Sequence, residues 1–538
     1  MSSPIATNEP LPRWPWWPAL VAAAVALCGF VVAVAVRLPY PHELEWMEGA
    51  LADHAARVAD GLPVYCEPGP THVPFLYAPM LFWLGGLGIA CGIDGIVALR
   101  LVAIVATFAT AALIGHWVRI ATGRVVPGLA AAGLFFAGYG WLAWWYDLAR
   151  NDTLFVFWML LVGFLLQHGG RRGWLWAGLA AAAAVLAKQS AMLWLPAIAV
   201  GAACLDWRAA LRFALVAGLG IAVALGAMHL ASDGWSTFYL FEMPRHHGWV
   251  GDRKLGFWTE DVLPMAPLLV LGVGGFAAAV RSAVPGAARG ALFLAAFGSG
   301  GVIASWFSRM HVGGFDNVMM YGFAAACVLG AIAAANARAL RVLGPALLLV
   351  QFGWLGFAAW QREPSHTLFP SAAHRQAHEQ LRAFVERQPG PVWIPGHGHI
   401  GYRAGKGTGA HGQAIFDLLQ MLPKLPNGML DTTSLADSAR LAHLSPRARQ
   451  ALGAFWSGTA DALHERSFAA IVVDQFGWPP VDAFAGLFGA LLAGADGVPG
   501  SADDPYVRLA GALLDEPDAI RPLLGYVVCR PYALLERR

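Results

Sequence analysis

Three glutamates lie close together directly after the first apolar stretch of the chain. Glu43, Glu45 and Glu48 fall within six residues and flank Trp46. Carboxylates can accept protons during catalysis, and acids at the edge of a bilayer usually have a function, because burying one near the centre of a span costs about 2.5–3.5 kcal/mol. The alternative is that they are solvated loop acids beside an interfacial tryptophan. On this segment alone both interpretations stay open.

A second group of charged residues follows a later apolar stretch. Asp147, Arg150 and Asp152 lie within six residues, so the arginine can pair with either acid. Such a group can bind a polar substrate next to the membrane. The alternatives are an Arg–Asp pair that closes a helix end, or Asp152 as the N-cap of the following helix.

Several cations stand near the ends of other apolar stretches. Cations at the edge of a membrane cavity suit phosphate, although each one alone is more often a snorkelling or interfacial side chain. The candidates for binding substrate are Lys188, Arg245, His246, Arg309 and His311. His246 with His247, or His397 with His399, could also bind a divalent metal, but no further ligand has informative spacing.

The elements that position these residues are mostly membrane helices. The 538-residue chain is 57% hydrophobic and 13% charged, with a mean hydropathy of +0.54, whereas soluble proteins carry about 25% charged residues. Charge returns to ordinary levels from Gln361 onward. We therefore predict a mainly α-helical, polytopic membrane domain over 1–360 and a soluble domain over 361–538.

About eleven stretches are apolar enough to cross a bilayer, which takes about 20 residues. Tyr77–Cys91 is a further apolar stretch, but it is short, rich in glycine and preceded by proline, so we predict a juxtamembrane or re-entrant helix there. The predicted spans centre on 19–38, 95–118, 126–143, 154–168, 174–187, 190–204, 211–231, 262–280, 290–308, 316–335 and 342–360.

The short basic loops predict the orientation of these spans. If Tyr77–Cys91 does not cross and the N-terminus is cytoplasmic, the compact arginine-containing loops all face the cytoplasm, as the positive-inside rule expects. The first loop (39–94), most other acids and the C-terminal domain then lie outside. The cytoplasmic arginine pairs are Arg119/Arg124, Arg171/Arg172, Arg208/Arg212, Arg281/Arg289 and Arg338/Arg341.

The C-terminal region has the pattern of a small α/β domain. An amphipathic helix near Ala372–Arg387 precedes a strand at Pro391–Pro395. Further helices are predicted near 411–421 and within 434–464, and further extended segments at 469–474 and 526–535. Such a domain could cap an outer cavity or select an acceptor.

These motifs together resemble the GT-C superfamily of glycosyltransferases, in particular bacterial protein O-mannosyltransferases and lipid A aminoarabinose transferases. The resemblance covers about 1–360 and rests on the acidic loop, the Gly61-x-Pro-x-Tyr65 motif, Tyr77-Ala-Pro-Met-Leu81 and Arg150-x-Asp152. It implies a multi-pass protein of the bacterial inner membrane. Such a protein transfers a hexosyl or pentosyl group from a polyprenyl-phosphate carrier to a glycan, lipid or protein acceptor on the outer face.

The resemblance also implies roles for individual residues. The family's Asp-Glu-Gly tripeptide reads Met47-Glu48-Gly49 here, so either Glu48 or Glu45 is implied as the base that activates the acceptor hydroxyl. Asp152 is implied as a second catalytic acid. Implied substrate contacts are Arg150, Lys188 and Tyr77, and Glu43 and Asp147 are further substrate-binding candidates from their positions in the two acidic groups.

Two other functions compete with this one. A transporter or flippase would place its charged site at the bilayer midplane and often carries internal repeats, whereas here the acids gather at one edge. A non-catalytic protein of envelope assembly with the same fold is the other alternative, because Met47 replaces the usual aspartate of the tripeptide.

Overall fold

The computed structural model describes residues 14–336, 342–362, 368–426, 430–436, 439–475, 505–508, 523–524 and 530–537, and most of them are helical. Arg338 and Arg341, which entered the orientation argument, lie outside these residues. Among the described residues up to 362, the helices of eight or more residues are α1 (Trp17–Arg37), α2 (Glu48–Ala59), α3 (Met80–Ala90), α4 (Gly95–Thr122), α5 (Val125–Trp141), α6 (Asp152–His168), α7 (Gly173–Ala187), α8 (Ala191–Leu205), α9 (Trp207–Ala231), α10 (Ala266–Val280), α11 (Ala287–Met310), α12 (Met320–Asn336) and α13 (Leu343–Gln361).

A helix stands at each of the eleven predicted spans, which confirms a polytopic helical membrane protein. Within the described residues, seven helical segments are long and apolar enough to cross a membrane, and α5 to α8 are shorter. The seven are Trp17–Arg37, Gly95–Thr122, Trp207–Ala231, Arg253–Val280, Ala287–Met310, Asp316–Asn336 and Leu343–Gln361.

The chain forms two compact units. The first unit comprises Met1–Ala35, Leu101–Gly226 and Trp249–Ser365. The second unit comprises Val36–Arg100, Ala227–Gly248 and His366–Arg538, so it combines the first loop with the C-terminal region. The boundary at residue 360 between a membrane domain and a soluble domain stays a prediction.

Glycines allow α8 and α11 of the first unit to pack closely. A Cβ atom on Gly300 would lie 2.7 Å from both Ala197 Cβ and Trp194 Cδ1, and one on Gly301 would lie 2.8 Å from Trp194 Cζ2. The fully buried Trp194 indole fills this space and donates to the carbonyl of Phe297 at 2.7 Å. Lipid supplies no hydrophobic force that draws helices together. The close packing that the glycines allow therefore stabilises this helix pair.

The short helix α3 belongs to the second unit, where it packs against α2. A Cβ on Gly86 would lie 2.7 Å from Val58 Cγ1, and one on Gly85 would lie 2.9 Å from Ala55 Cβ. Eleven residues give a helix about 17 Å long at 1.5 Å per residue, against a hydrocarbon core of about 30 Å. This length fits the predicted juxtamembrane helix.

The C-terminal part of the second unit contains α14 (Ala372–Arg387), α15 (Gly412–Leu419) and α16 (Pro446–His464). Four strands, β1 (Val392–Trp393), β2 (Ala470–Gln475), β3 (Tyr506–Arg508) and β4 (Arg530–Arg537), form a sheet in the order β1-β2-β4-β3. β1 and β2 are parallel, and the other neighbours are antiparallel.

Helix α14 has the bounds predicted from the sequence. Ser371 caps its N-terminus in a capping box with His374, a motif that satisfies two helix-end donors. Its apolar face, Ala377, Leu381 and Val385, packs on the strand residues. The predicted extended segments correspond to β1, β2 and β4, although 525–529 lie outside the described residues.

A close contact between two backbone segments of the second unit joins α2 to the HGH loop, residues 395–399. A Cβ on Gly398 would lie 2.4 Å from the carbonyl carbon of Gly49 and 2.7 Å from the Cα of Ala50. A Cβ on Gly49 would in turn meet the carbonyl oxygen of Gly398. The two backbones can approach this closely only because both positions are glycine.

Gly398→Ala should therefore destabilise the second unit by about 1–3 kcal/mol, because backbone atoms cannot move aside as a side chain can. The measurement is the thermal unfolding midpoint of the purified protein. Gly453→Ala in α16 is the control, since nothing lies within 4 Å of its added Cβ and alanine favours a helix. Equal midpoints for the two variants would contradict the prediction.

Candidate functional site

Glu48 lies at the first turn of α2 and is fully buried. Arg100 of α4 binds both carboxylate oxygens: Nε donates to Oε1 at 2.8 Å and Nη2 to Oε2 at 2.6 Å. The backbone amide of Leu44 also donates to Oε2, at 2.7 Å. This bidentate geometry is the strongest form of a carboxylate–guanidinium pair.

Arg100 also organises the backbone that precedes Glu48. Its Nη1 donates to the carbonyls of Arg37 and Tyr40 at 3.1 and 2.5 Å, and its Nη2 to that of His42 at 2.7 Å. One buried arginine therefore fixes the acidic loop, residues 38–48. Glu48 is the acidic partner that balances this charge.

Glu43 connects the acidic loop to the HGH loop. Its Oε2 lies 3.0 Å from His397 Nδ1, and its Oε1 accepts from the amides of Gly398 at 3.1 Å and Gly49 at 3.2 Å. Burial raises the pKa of Glu43 to about 7, while the hydrogen bond from His397 opposes that rise. A carboxyl group that titrates near neutral pH can exchange protons under physiological conditions.

Glu45 completes the acidic group. Its Oε2 accepts from the amide of Met47 at 3.3 Å, and its backbone forms a bridge with Leu524. Glu43, Glu45 and Glu48 are 2%, 2% and 0% exposed. The alternative that these acids are solvated loop residues is therefore wrong, and Trp46 is buried against His411.

Asp152 begins α6 in the first unit and pairs with Lys188, which follows α7. Lys188 Nζ lies 2.6 Å from Asp152 Oδ1, and the Tyr321 hydroxyl lies 3.5 Å from the same oxygen. Both charged side chains are largely buried, with exposures of 1% for Asp152 and 11% for Lys188. Within the described residues, Asp152 Oδ2 has no hydrogen-bond partner.

The residues before Asp152 are also buried. The hydroxyl of Tyr139 donates to Asp147 Oδ1 at 2.8 Å, and the Arg150 guanidinium lies 5.0 Å from the centre of the Trp145 ring. The alternative that Asp152 is an N-cap is wrong, because Asn151 holds that position and no side chain caps the helix. The Asp152 carboxylate pairs with Lys188 instead.

The arrangement of helices can be compared with solved structures. ArnT from Cupriavidus metallidurans bound to undecaprenyl phosphate aligns over 95% of this chain and 97% of its own, with a TM-score of 0.53 and 12% identity. The same protein in the apo state aligns equally well, at 13% identity. This chain has the GT-C fold. The sequence itself matches no protein-family model and no curated protein.

Arg309, a substrate-binding candidate from its charge and its place at the end of an apolar stretch, is bound to protein acceptors. Its Nε and Nη2 lie 2.9 and 3.1 Å from the two oxygens of Asp261, and Nη2 also lies 2.9 Å from Asp316 Oδ1. Its Nη1 donates to the carbonyl of Gly314, and Arg362 binds the other oxygen of Asp316 at 2.7 Å. This geometry favours a structural role for Arg309, and substrate binding stays a prediction.

The remaining predicted ligands lie apart from one another in sequence and differ in exposure. Arg245 is exposed and His246 is half-buried in the second unit. His311, in the first unit, forms a backbone bridge with Trp249. The carbonyl of Tyr77 accepts from the Tyr65 hydroxyl at 2.5 Å. Their contacts with substrate stay predictions.

The described residues hold no group of three or more His, Cys, Asp or Glu side chains arranged to bind a metal ion. His397 instead binds Glu43, and His399 Nδ1 lies 3.4 Å from Asp53 Oδ1. His247 Nε2 lies 3.2 Å from the carbonyl of Asp417. Three of the four histidines that were metal candidates by sequence, His247, His397 and His399, thus have protein neighbours of another kind.

Arg100 is the main residue that sequence reasoning missed. It stands in an apolar stretch of the predicted second span, where a charged residue itself indicates a function. A second missed feature is the stack of His42 on His378, with ring centres 4.7 Å apart. Nothing in the sequence around either histidine predicts that the two rings contact each other.

Five buried histidines of the second unit make stability depend on pH. Burial lowers the pKa values of His42, His54, His378 and His411 to about 2, 4, 3 and 3, and that of His72 well below 6.5. Below pH 6.5 the unfolded chain binds protons that the folded chain does not. Each histidine therefore lowers the stability of the folded protein as the pH falls from 6.5 toward its folded pKa.

The thermal midpoint should therefore fall steeply between pH 6.5 and 4. The raised pKa values of Glu43 and Asp53 act in the opposite direction, because these groups keep protons in the folded state that the unfolded state has lost. The protons that the five histidines take up on unfolding outnumber those that the two acids release, so stability falls as the pH falls. His378→Asn should make the slope shallower, whereas a midpoint that is flat or rises on acidification would contradict the prediction.

Proposed function

We propose that this protein is a glycosyltransferase that takes a monosaccharide from a polyprenyl-phosphate carrier and transfers it to an envelope acceptor. The observation that carries the proposal is the alignment of 95% of the chain with an ArnT structure that holds undecaprenyl phosphate. The GT-C fold alone leaves the chemistry open, so the proposal depends on the buried charged residues for its mechanism.

Lys188 and Asp152 are the proposed phosphate-side residues. A departing polyprenyl phosphate develops negative charge, and a buried cation stabilises that charge more than an exposed one does. Among the described residues, Lys188 Nζ donates to one carboxylate oxygen, at 2.6 Å, and an ammonium group has three donors. Asp152 would orient the ammonium toward the carrier.

Glu45 is the proposed base. Transfer requires a carboxylate within hydrogen-bond reach of the acceptor hydroxyl. Glu48 was the other sequence candidate, but Arg100 binds both of its oxygens, and a carboxylate held in this way is a poor proton acceptor. Glu43 could contact substrate only if its hydrogen bonds to the HGH loop first broke.

The proposed location is the bacterial inner membrane, with a cytoplasmic N-terminus and the acidic loop and C-terminal domain on the outer face. The contacts of Glu43 with His397 and Gly398 support placing the first loop and the C-terminal domain on the same side. The basic short loops support the orientation. The donor sugar would be a hexose or pentose.

A non-catalytic role in envelope assembly remains the second candidate. The observation that favours it is that Glu43 and Glu48 are buried and hydrogen-bonded within the protein. Under this hypothesis the acids hold the fold together, and removing the Asp152 carboxylate changes no glycan.

The test compares envelope glycans and glycolipids by mass spectrometry in cells with and without the protein, and then in cells that carry Asp152→Asn or Lys188→Met. We expect a sugar-modified product that depends on the protein and that either variant reduces about 100-fold, because removing a buried electrostatic stabiliser typically costs that much. Full product with both variants would refute the catalytic proposal and favour the non-catalytic role.

Asp206→Asn is the matched control. Asp206 is exposed, and its carboxylate accepts from the amides of Arg208 and Ala209 at the start of α9. Asparagine keeps this cap, so the control makes the same chemical change without touching a buried charge. Its product should equal that of the wild type at matched protein levels in the membrane.

A further inference from the structure

The HGH loop lies in the C-terminal region, 346 or more residues after the carboxylates that it contacts. Its His397 and Gly398 both hydrogen-bond Glu43, and its His399 approaches Asp53 on α2. Glu43, Asp53, His397 and His399 are each at most 5% exposed. The loop therefore contacts the acidic loop and the helix that follows it.

We propose that His397 and Gly398 are positioning residues for the acidic loop, so that the C-terminal domain is a required part of the transfer site. This rests on the proposed function. Glu43 Oε1 accepts from both Gly398 and Gly49, so one oxygen joins the HGH loop to the start of α2. Glu45, the proposed base, lies in the chain between Glu43 and Gly49, the two residues that this oxygen joins.

Two further contacts support this role. The amide of Leu524, near the C-terminus, donates to the carbonyl of Leu44 at 2.7 Å. Arg403, just after the HGH loop, donates to the carbonyl of Pro41 at 3.2 Å. Hydrogen bonds from three separate C-terminal positions therefore reach the acidic loop, and a loop held at several points is pre-organised for catalysis.

The specific contact is between His397 Nδ1 and Glu43 Oε2 at 3.0 Å, in which the ring N–H donates when Glu43 is a carboxylate. Loss of this ring leaves Glu43 Oε2 without this hydrogen bond, and the carboxylate can then rotate away from the two amides. Because His397 does not itself act on substrate, the effect should appear in kcat and leave KM unchanged. Asparagine places an amide N–H near the position of Nδ1, so His397→Asn should restore much of the lost rate.

The first experiment measures transfer by membranes that contain His397→Ala, His397→Asn or Glu43→Gln at matched protein levels. We expect His397→Ala to lower kcat about 10- to 100-fold and His397→Asn to recover most of it. The double variant His397→Ala with Glu43→Gln should be no slower than the slower single variant, as for residues that act together. Full activity of His397→Ala would overturn the inference.

A second readout does not depend on activity. Amide hydrogen exchange over 43–52 should accelerate in His397→Ala and stay at the wild-type rate in His443→Ala, an exposed histidine of the same region. Unchanged exchange in both variants would also overturn the inference. If membranes with the wild-type protein show no transfer while exchange over 43–52 still accelerates in His397→Ala, the proposed function fails and the positioning role of His397 in the acidic loop stands.

Discussion

Arg100→Met is expected to destabilise the protein by about 3–5 kcal/mol, because removing one partner of a buried ion pair leaves the other charge uncompensated. Glu48 would remain fully buried beside it. The carbonyls of Arg37, Tyr40 and His42 would lose their donor as well. The thermal midpoint and the protease resistance of the detergent-purified protein measure the loss.

Arg119→Met is the matched control for this experiment. Arg119 lies on the same helix, α4, but is exposed, and its Nη2 approaches only His116 among the hydrogen bonds described. The double variant Arg100→Met with Glu48→Leu should recover part of the stability, since replacing a whole buried pair by apolar residues is often tolerated. If Arg100→Met and Arg119→Met melt at the same temperature, the ion pair does not support the fold.

The helices were largely predictable from the sequence, for a physical reason. A backbone in lipid must satisfy its hydrogen bonds internally, so a long apolar stretch has few alternatives to a helix. All eleven predicted spans accordingly contain helices. The amphipathic pattern of Ala372–Arg387 predicted α14 at the same bounds, because its apolar face packs against one strand layer.

The pairing of the charged residues was not predictable in the same way. Arg100 and Glu48 are separated by 52 positions, and His397 and Glu43 by 354. No local pattern relates such residues, since their contact depends on how α2, α4 and the HGH loop pack. The sequence therefore identified the three glutamates as a group but could not say which of them is bound by an arginine.

The orientation of the spans was predictable only from the charges of the short loops. It depends on short loops whose charges obey the positive-inside rule, and one of these loops contains Arg338 and Arg341, outside the described residues. The hydrogen bonds of Glu43 to the HGH loop supply independent support for the relation between the first loop and the C-terminal region. They do not depend on counting helices.

Glu45→Gln should reduce transfer by about 10²- to 10⁴-fold, the range for removing a general base, with little change in stability. Glutamine has the same shape and keeps an oxygen for the amide of Met47, but it cannot accept the proton of the acceptor hydroxyl. Product formation by membranes at matched protein levels, measured by mass spectrometry, gives the rate. The thermal midpoint of the purified variant shows whether the fold is kept.

Glu48→Gln separates a catalytic from a structural glutamate. A neutral amide would leave Arg100 buried without its counter-charge, so this variant should lose thermal stability first and activity only in proportion to the folded protein that remains. Glu45→Gln should show the reverse, a stable protein without transfer. If Glu48→Gln is the variant that stays folded and inactive, the base is Glu48, and the bidentate contact with Arg100 must open during turnover.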